Sequence, residues 1–354
     1  MAKHVLIVDD SALVRKQLKE IIKTLDFEID VAKNGKEAVD KANSFQYDVI
    51  TMDINMPIMD GVEAVKQIMQ KQPTPILMVS SLTTKDASIT MDALDLGAVD
   101  YISKPGTMNV GKRENYDDII DKVSSLSKIS PRMLKRQMSR MQKRDRHKVE
   151  QVKKMDNPSL SSRDIKKVIL IGSSTGGPGL IEQICSSLPD DFKHTVCVVQ
   201  HMPEQFTEAF AQRLDRSSLL PVVESKQNLE MLPGHIYLAR GGVHMNFAKK
   251  VSGTIVFRED KTKGVSFFQP SVNDMMRSAL EVFNASNLVG VVLTGIGDDG
   301  ADAMVELKQA GAYTMGESES SATVYGMPKE AYERGGVMEQ LDFKEILKKI
   351  STMR

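Results

Sequence analysis

The sequence has no tryptophan, only two cysteines in 354 residues, and 5% aromatic side chains. Two cysteines, Cys185 and Cys197, cannot build a disulfide framework in a chain of this size, and the spacing predicts buried, reduced thiols. Net charge is also lacking: 47 basic and 47 acidic residues cancel. No global field therefore draws the chain to nucleic acid or to an anionic membrane. There is no long apolar run either. The opening MAKHVLIVDD is too short for a signal-peptide core or a membrane span and ends in two acids, so a cytoplasmic protein without membrane insertion is expected.

The length suits two domains. Over residues 1–125, short β-branched runs (4–8, 27–32, 48–53, 75–80 and 101–103) alternate with amphipathic helical patterns. The first helix is expected to bury Leu13, Val14, Leu18, Ile21, Ile22 and Leu25. Five strands alternating with helices predict a doubly wound, flavodoxin-like parallel sheet that binds ligands beyond its carboxyl ends. Residues 126–164 read as a linker. From Ile129 to Asp164 there are eleven Lys or Arg against four Asp or Glu. A solvated linker is the plainer interpretation; a basic helix docking on a partner is the sharper one. Residues 165–354 again alternate, with strands at 166–172, 194–200, 221–225, 235–240, 253–259, 287–295 and 312–316. Helices are predicted at 178–188, 204–217, 271–283, 299–310 and 328–334. This is a second, Rossmann-like α/β domain, interrupted by a hairpin insertion around 232–268.

Two sets of residues carry chemistry. Asp9 and Asp10 end the first predicted strand, Asp53 the third and Lys104 the fifth. Carboxylates converging at neighbouring strand ends repel one another unless a divalent cation lies among them, and oxygen ligands suit Mg²⁺. A single such Asp is more often a turn or helix cap; the combination is not. VDDS, MDINMPIMDG, MVSS and DYISKP make this half resemble the receiver domain of two-component response regulators. That resemblance implies Asp53 as phosphoacceptor, Asp9 and Asp10 as metal-site acids with it, Lys104 as the phosphate partner, and Ser80 and Tyr101 as switch residues.

In the second half, Gly172-Ser173-Ser174-Thr175-Gly176-Gly177 places Ser174 in a G-x-S-x-G pattern between a strand and a helix. The same loop would suit a nucleotide phosphate, so a receiver-controlled nucleotide-binding enzyme is a rival. A transcriptional response regulator is another, although the second half is too long, strand-rich and neutral for a helix-turn-helix module. Serine needs a base. His201, which follows the predicted strand ending at Gln200, is the first choice, and His244 the second. The base needs a carboxylate to orient it, and LTGIGDDGA offers Asp298 and Asp299. Each is also a plausible helix cap.

GSSTGG, QHMPEQFTEAFAQRLD, LPGHIYLA, QPSVNDMM, LTGIGDDGADAM and VYGMPKEA are similar to the chemotaxis protein-glutamate methylesterase family. The resemblance implies phosphorylation-activated hydrolysis of glutamate γ-methyl esters on chemoreceptors, and in many members glutamine deamidation. It assigns Ser174 as nucleophile, His201 as base, Asp299 as orienter, and backbone groups near Thr175 and Ile296 to the oxyanion. It further implies a chemotaxis histidine kinase as phosphodonor and no cofactor for the ester chemistry. Asp298 stands where the family often has Asn, and Ile296 where it often has Met.

Overall fold

The computed structural model describes residues 2–81, 83–105, 112–130, 133–134, 160–262 and 268–353. It divides into two compact units between residues 147 and 148. Most of the predicted linker, residues 131–132 and 135–159, lies outside the described residues.

In the first unit, strands β1 (His4–Val8), β2 (Glu28–Ala32), β3 (Val49–Asp53), β4 (Ile76–Ser80) and β5 (Asp100–Ser103) form a parallel sheet in the order 2-1-3-4-5. The central β3 and β4 are buried throughout, as expected of strands covered by helices on both faces. Helices α1 (Ala12–Ile22), α2 (Gly35–Ser44), α3 (Gly61–Lys71) and α4 (Thr84–Asp95) start behind Ser11, Asn34, Asp60 and Thr83. Each of these side chains accepts from a backbone N–H of the first turn, which is why the helices begin there. In α1, Leu18, Ile21 and Ile22 are buried as expected, but Leu13 is 64% exposed. It lies in the first turn, before the helix packs on the sheet. The last helix, α5 (Lys112–Leu126), leads into residues still packed on this unit: Leu126, Ile129 and Leu134 are buried, and Lys3 Nζ donates to the Ser127 carbonyl at 3.0 Å.

The second unit holds a seven-stranded sheet of β6 (Val168–Ser173), β7 (Thr195–Gln200), β8 (Val222–Glu224), β9 (Ile236–Leu238), β12 (Leu288–Val292), β13 (Tyr313–Glu317) and β14 (Glu339–Leu341). Its order is 14-13-12-6-7-9-8, and every pairing is parallel. Strands β10 (His244–Lys249) and β11 (Ile255–Asp260) form a separate antiparallel hairpin. The insertion is therefore narrower than the sequence suggested: residues 236–238 belong to the main sheet, because Ile236, Tyr237 and Leu238 are all buried as a central parallel strand requires.

The helices are α6 (Gly177–Ser187), α7 (Glu204–Ser217), α8 (Val272–Val282), α9 (Ala301–Gln309), α10 (Met327–Glu333) and α11 (Phe343–Ser351). Val168, Leu170, Met275, Met276 and Met304 belong to one buried cluster joining sheet and helices. Both cysteines are buried and reduced, and burial pushes the Cys197 thiol far up, which makes it unreactive. Among the described residues no helix is long and apolar enough to cross a membrane.

Candidate active site

Sheet order places the second-unit site. The strand order reverses at β6, with β7 on one side and β12 on the other, and ligands of such sheets bind beyond the carboxyl ends at that reversal. Ser174 follows β6, His201 follows β7 and Asp299 lies beyond β12. Ser173 and Gln200 are register partners, and the His201 N–H donates to the Ser173 carbonyl at 3.0 Å. Nucleophile candidate and base candidate thus leave adjacent strands at the same level.

The Ser174 turn is held by its backbone. The Ser174 N–H donates to the Thr294 carbonyl at 3.0 Å, and its own carbonyl accepts from the Gly177 N–H at 2.8 Å and from Gln200 Nε2 at 2.9 Å. Gln200 Oε1 accepts from Ser173 Oγ at 2.7 Å. A Cβ at position 177 would stand 2.2 Å from Gln200 Oε1, so the side chain that braces the turn leaves room only for glycine. Position 295 is equally tight, its Cβ falling 2.9 Å from that of Ser174. Among the described residues, the Ile296 N–H beside it finds no acceptor. Thr175 is buried, with its carbonyl accepting from Thr294 Oγ1 at 2.8 Å.

His201 and Asp299 are joined: Nε2 lies 2.8 Å from Oδ2, with both side chains at most 7% exposed. Asp299 also accepts from Ser271 Oγ at 2.9 Å, the Val272 N–H at 2.7 Å and the Asn273 N–H at 3.0 Å. Burial alone would raise this carboxyl; His201 and the two N–H groups outweigh it and hold Asp299 below its ordinary range. It is thus an ionised acceptor facing an Nε2–H, which leaves the lone pair on Nδ1. Nδ1 is buried and without a hydrogen-bond partner.

Asp298 and Asp299 divide cleanly. Asp298 is exposed and pairs with Arg334 at 2.6 Å, away from the histidine. Asp299 does cap a helix, but it is α8 rather than the helix that follows it in sequence. His244 is not brought to Ser174 in the hydrogen-bond pattern. It is buried at the start of β10, 3.0 Å from Asp274 and 3.3 Å from the Ser271 N–H. Two contributors escaped the sequence reading. Ser271 was visible only as a helix start, and Phe268 stacks on the His201 ring at 4.0 Å and 10° with no sequence signal to announce it.

In the first unit the acids meet as expected. Ligand oxygens of Asp9, Asp10 and Asp53 lie within 4.8 Å of one another. Lys104 Nζ is 2.8 Å from Asp53 and 3.3 Å from Asp9. Asp53 Oδ1 accepts from the Ile54 N–H at 2.8 Å, whereas Asp53 Oδ2 is buried without a hydrogen-bond donor and Asp9 Oδ2 faces the Lys104 ammonium at 3.3 Å. Burial, then the Asp9 charge, push the Asp53 carboxyl up to about 6 against the opposing pull of Lys104. An orphaned, buried oxygen on Asp53 beside the carboxylates of Asp9 and Asp10 fits a hard divalent cation. Ser80 ends β4 and Tyr101 lies in β5, both buried, with Lys122 Nζ 5.4 Å from the Tyr101 ring centre.

An acidic 2-1-3-4-5 domain joined to a parallel α/β domain bearing a serine beside a histidine–aspartate pair defines a class: response-regulator receivers fused to a hydrolase-type unit. Residues 5–113 match the response regulator receiver domain, and residues 169–350 match the CheB methylesterase family. The chain belongs to that family, the protein-glutamate methylesterases of the response-regulator type. It is 46% identical over 353 residues to the protein-glutamate methylesterase/protein-glutamine glutaminase 2 of Carboxydothermus hydrogenoformans, covering 98% of each chain. It is 39% identical to the corresponding protein of Thermotoga maritima, covering 94% of this chain and 93% of that one. The crystal structure of the Thermotoga maritima CheB methylesterase catalytic domain aligns with a TM-score of 0.51 and 34% identity, covering 53% of this chain and 98% of that one.

Proposed function

We propose that this chain hydrolyses glutamate γ-methyl esters on chemoreceptors and that phosphorylation of Asp53 raises the rate. The observation that carries the reading is the buried His201–Asp299 hydrogen bond at the strand ends beside Ser174. Asp299 fixes the tautomer, so the bare Nδ1 of His201 takes the Ser174 proton as Oγ attacks the ester carbonyl. The negative charge that develops on the carbonyl oxygen is met by backbone N–H groups at Thr175 and Ile296, the second of which has no acceptor among the described residues. Collapse breaks the bond to methoxide, which leaves as methanol with the proton from His201. Water then attacks the acyl-serine, gives its proton to His201, and frees the glutamate as Ser174 is reprotonated. Glutamine would form the same acyl-enzyme with loss of ammonia, in keeping with the double name of the relatives.

Asp9, Asp10 and Asp53 would hold Mg²⁺, which screens the charge of an incoming phosphoryl group. Asp53 accepts that group from a chemotaxis histidine kinase, and Lys104, already on Asp53, pairs with it as a point charge. Ser80, at the end of β4, and Tyr101, within β5, report the change.

Methanol release from methylated chemoreceptor membranes tests the chemistry. Ser174→Ala is expected to abolish release with the fold intact, since the nucleophile carries most of the rate. Substantial release by that variant would contradict the assignment.

A further inference from the structure

The His201 ring is held by one polar contact. The bond from Nε2 to Asp299 fixes one edge of the ring, but Nδ1 has no partner that would fix the tilt about that edge. A base held at a single point can swing its lone pair away from the serine, and misplacement on the scale of an ångström costs heavily in rate. A further restraint is Phe268. Its ring lies flat on the imidazole, with centroids 4.0 Å apart and planes 10° from parallel. Phe268 also reaches the turn that carries Ile296: a Cβ added at Gly297 would stand 3.9 Å from Phe268 Cε2. Three residues further on, the same segment supplies Ser271, Val272 and Asn273, the donors that hold Asp299. One short stretch therefore grips the carboxylate by hydrogen bonds and the imidazole by its face.

We infer that Phe268 is a positioning residue for the general base: its flat ring stops the imidazole from tilting, so that Nδ1 stays directed at Ser174. The inference rests on the esterase reading. A phenyl ring can do this where an aliphatic side chain cannot, because only a planar partner offers a surface parallel to the imidazole plane.

The test uses the full-length protein and methanol release from methylated chemoreceptor membranes. Phe268→Leu, which keeps apolar bulk but loses the plane, is expected to lower kcat by about ten-fold or more with KM within about two-fold. Phe268→Tyr keeps the plane and is expected to retain at least about half of the wild-type kcat. Proton–nitrogen spectra of histidine-labelled protein supply a second readout. His201 should show one sharp set of ring resonances in the wild type and Phe268→Tyr, and exchange-broadened ones in Phe268→Leu, with the tautomer set by Asp299 unchanged in all three. Wild-type kcat and spectrum in Phe268→Leu would overturn the inference. So would unfolding of both Phe268→Leu and a second flexible variant, Phe268→Met, because the ring would then be packing and not positioning. A wild type that releases no methanol, or a Ser174→Ala that still does, would instead strike the esterase reading itself.

Discussion

At the scale of single residues, the two adjacent acids separate most sharply. Asp299 is buried, bonded to His201 and to three donors at the start of α8, whereas Asp298 is an exposed partner of Arg334. Asp299→Asn keeps the volume but offers an N–H where an acceptor is needed, so the wrong nitrogen of His201 carries the proton. A fall in kcat of about 10³–10⁴ is expected, against less than about two-fold for Asp298→Asn. Steady-state methanol release measures both, and equal effects would contradict the division of roles. The pair also shows what a sequence can carry. GIGDDGA pointed to an acid after a strand, but both acids follow the same strand, and only the direction each leaves the chain decides between them. Asp53 supports a prediction of a different kind. A native carboxyl near 6, against an unfolded value near 3.9, means that the native state holds the extra proton between those pH values. In Mg²⁺-free buffer the native state therefore loses stability as pH rises through that window, and the loss is complete above about pH 6. Asp53→Asn removes the charge, and is expected to raise stability at pH 7 by about 1–3 kcal/mol in urea denaturation while changing little near pH 4. No gain at pH 7 would mean that Lys104 compensates the buried charge fully.

At the scale of elements, α8 connects packing to chemistry. Its N-terminal N–H groups of Val272 and Asn273 point at Asp299, so the end of a helix whose other face buries Met275, Met276 and Ala279 also sets the acidity of the orienting carboxylate. Ser271 serves both, since its Oγ donates to Asp299 at 2.9 Å and accepts from the Asp274 N–H at 3.3 Å. Ser271→Ala is expected to cost about 1 kcal/mol in denaturation and to lower kcat as well. A loss of stability with kcat unchanged would reduce Ser271 to a cap. The elements missing from the sequence reading share a cause. Strand β14 has three residues, and β10 begins in a polar stretch, so neither offers enough alternation to register. Helix α11 was missed as well, although a signal was there: Asp342 and Glu345 form a capping box around the start of a helix that buries Phe343, Ile346 and Ile350. The long, apolar β3, β4, β6 and β7 were legible because central parallel strands are apolar on both faces. The stacking of Phe268 was not, because it joins residues 67 positions apart through a contact that no local pattern encodes.

At the scale of the whole molecule, two parallel α/β units use one rule twice. Each gathers its candidate side chains at the carboxyl ends of its strands, around the point where the order reverses: Asp9 and Asp53 in the first, with Lys104 reaching in from the edge strand β5, and Ser174, His201 and Asp299 in the second. On the proposed reading the first site exchanges charge, since a phosphoryl group on Asp53 would replace one buried negative charge by a larger one beside Lys104. The second would carry out acyl transfer. We propose that the charge of the first sets the rate of the second, for which a coupling of ~1–3 kcal/mol would suffice to give a five- to hundred-fold response.

The most direct test of that account is methanol release from methylated chemoreceptor membranes by the full-length chain, before and after a small phosphodonor with Mg²⁺, in wild type and Asp53→Ala. The account predicts release that rises on phosphodonor addition in the wild type and stays at the basal rate in Asp53→Ala. Equal stimulation of both proteins, or no release from the wild type under either condition, would contradict it.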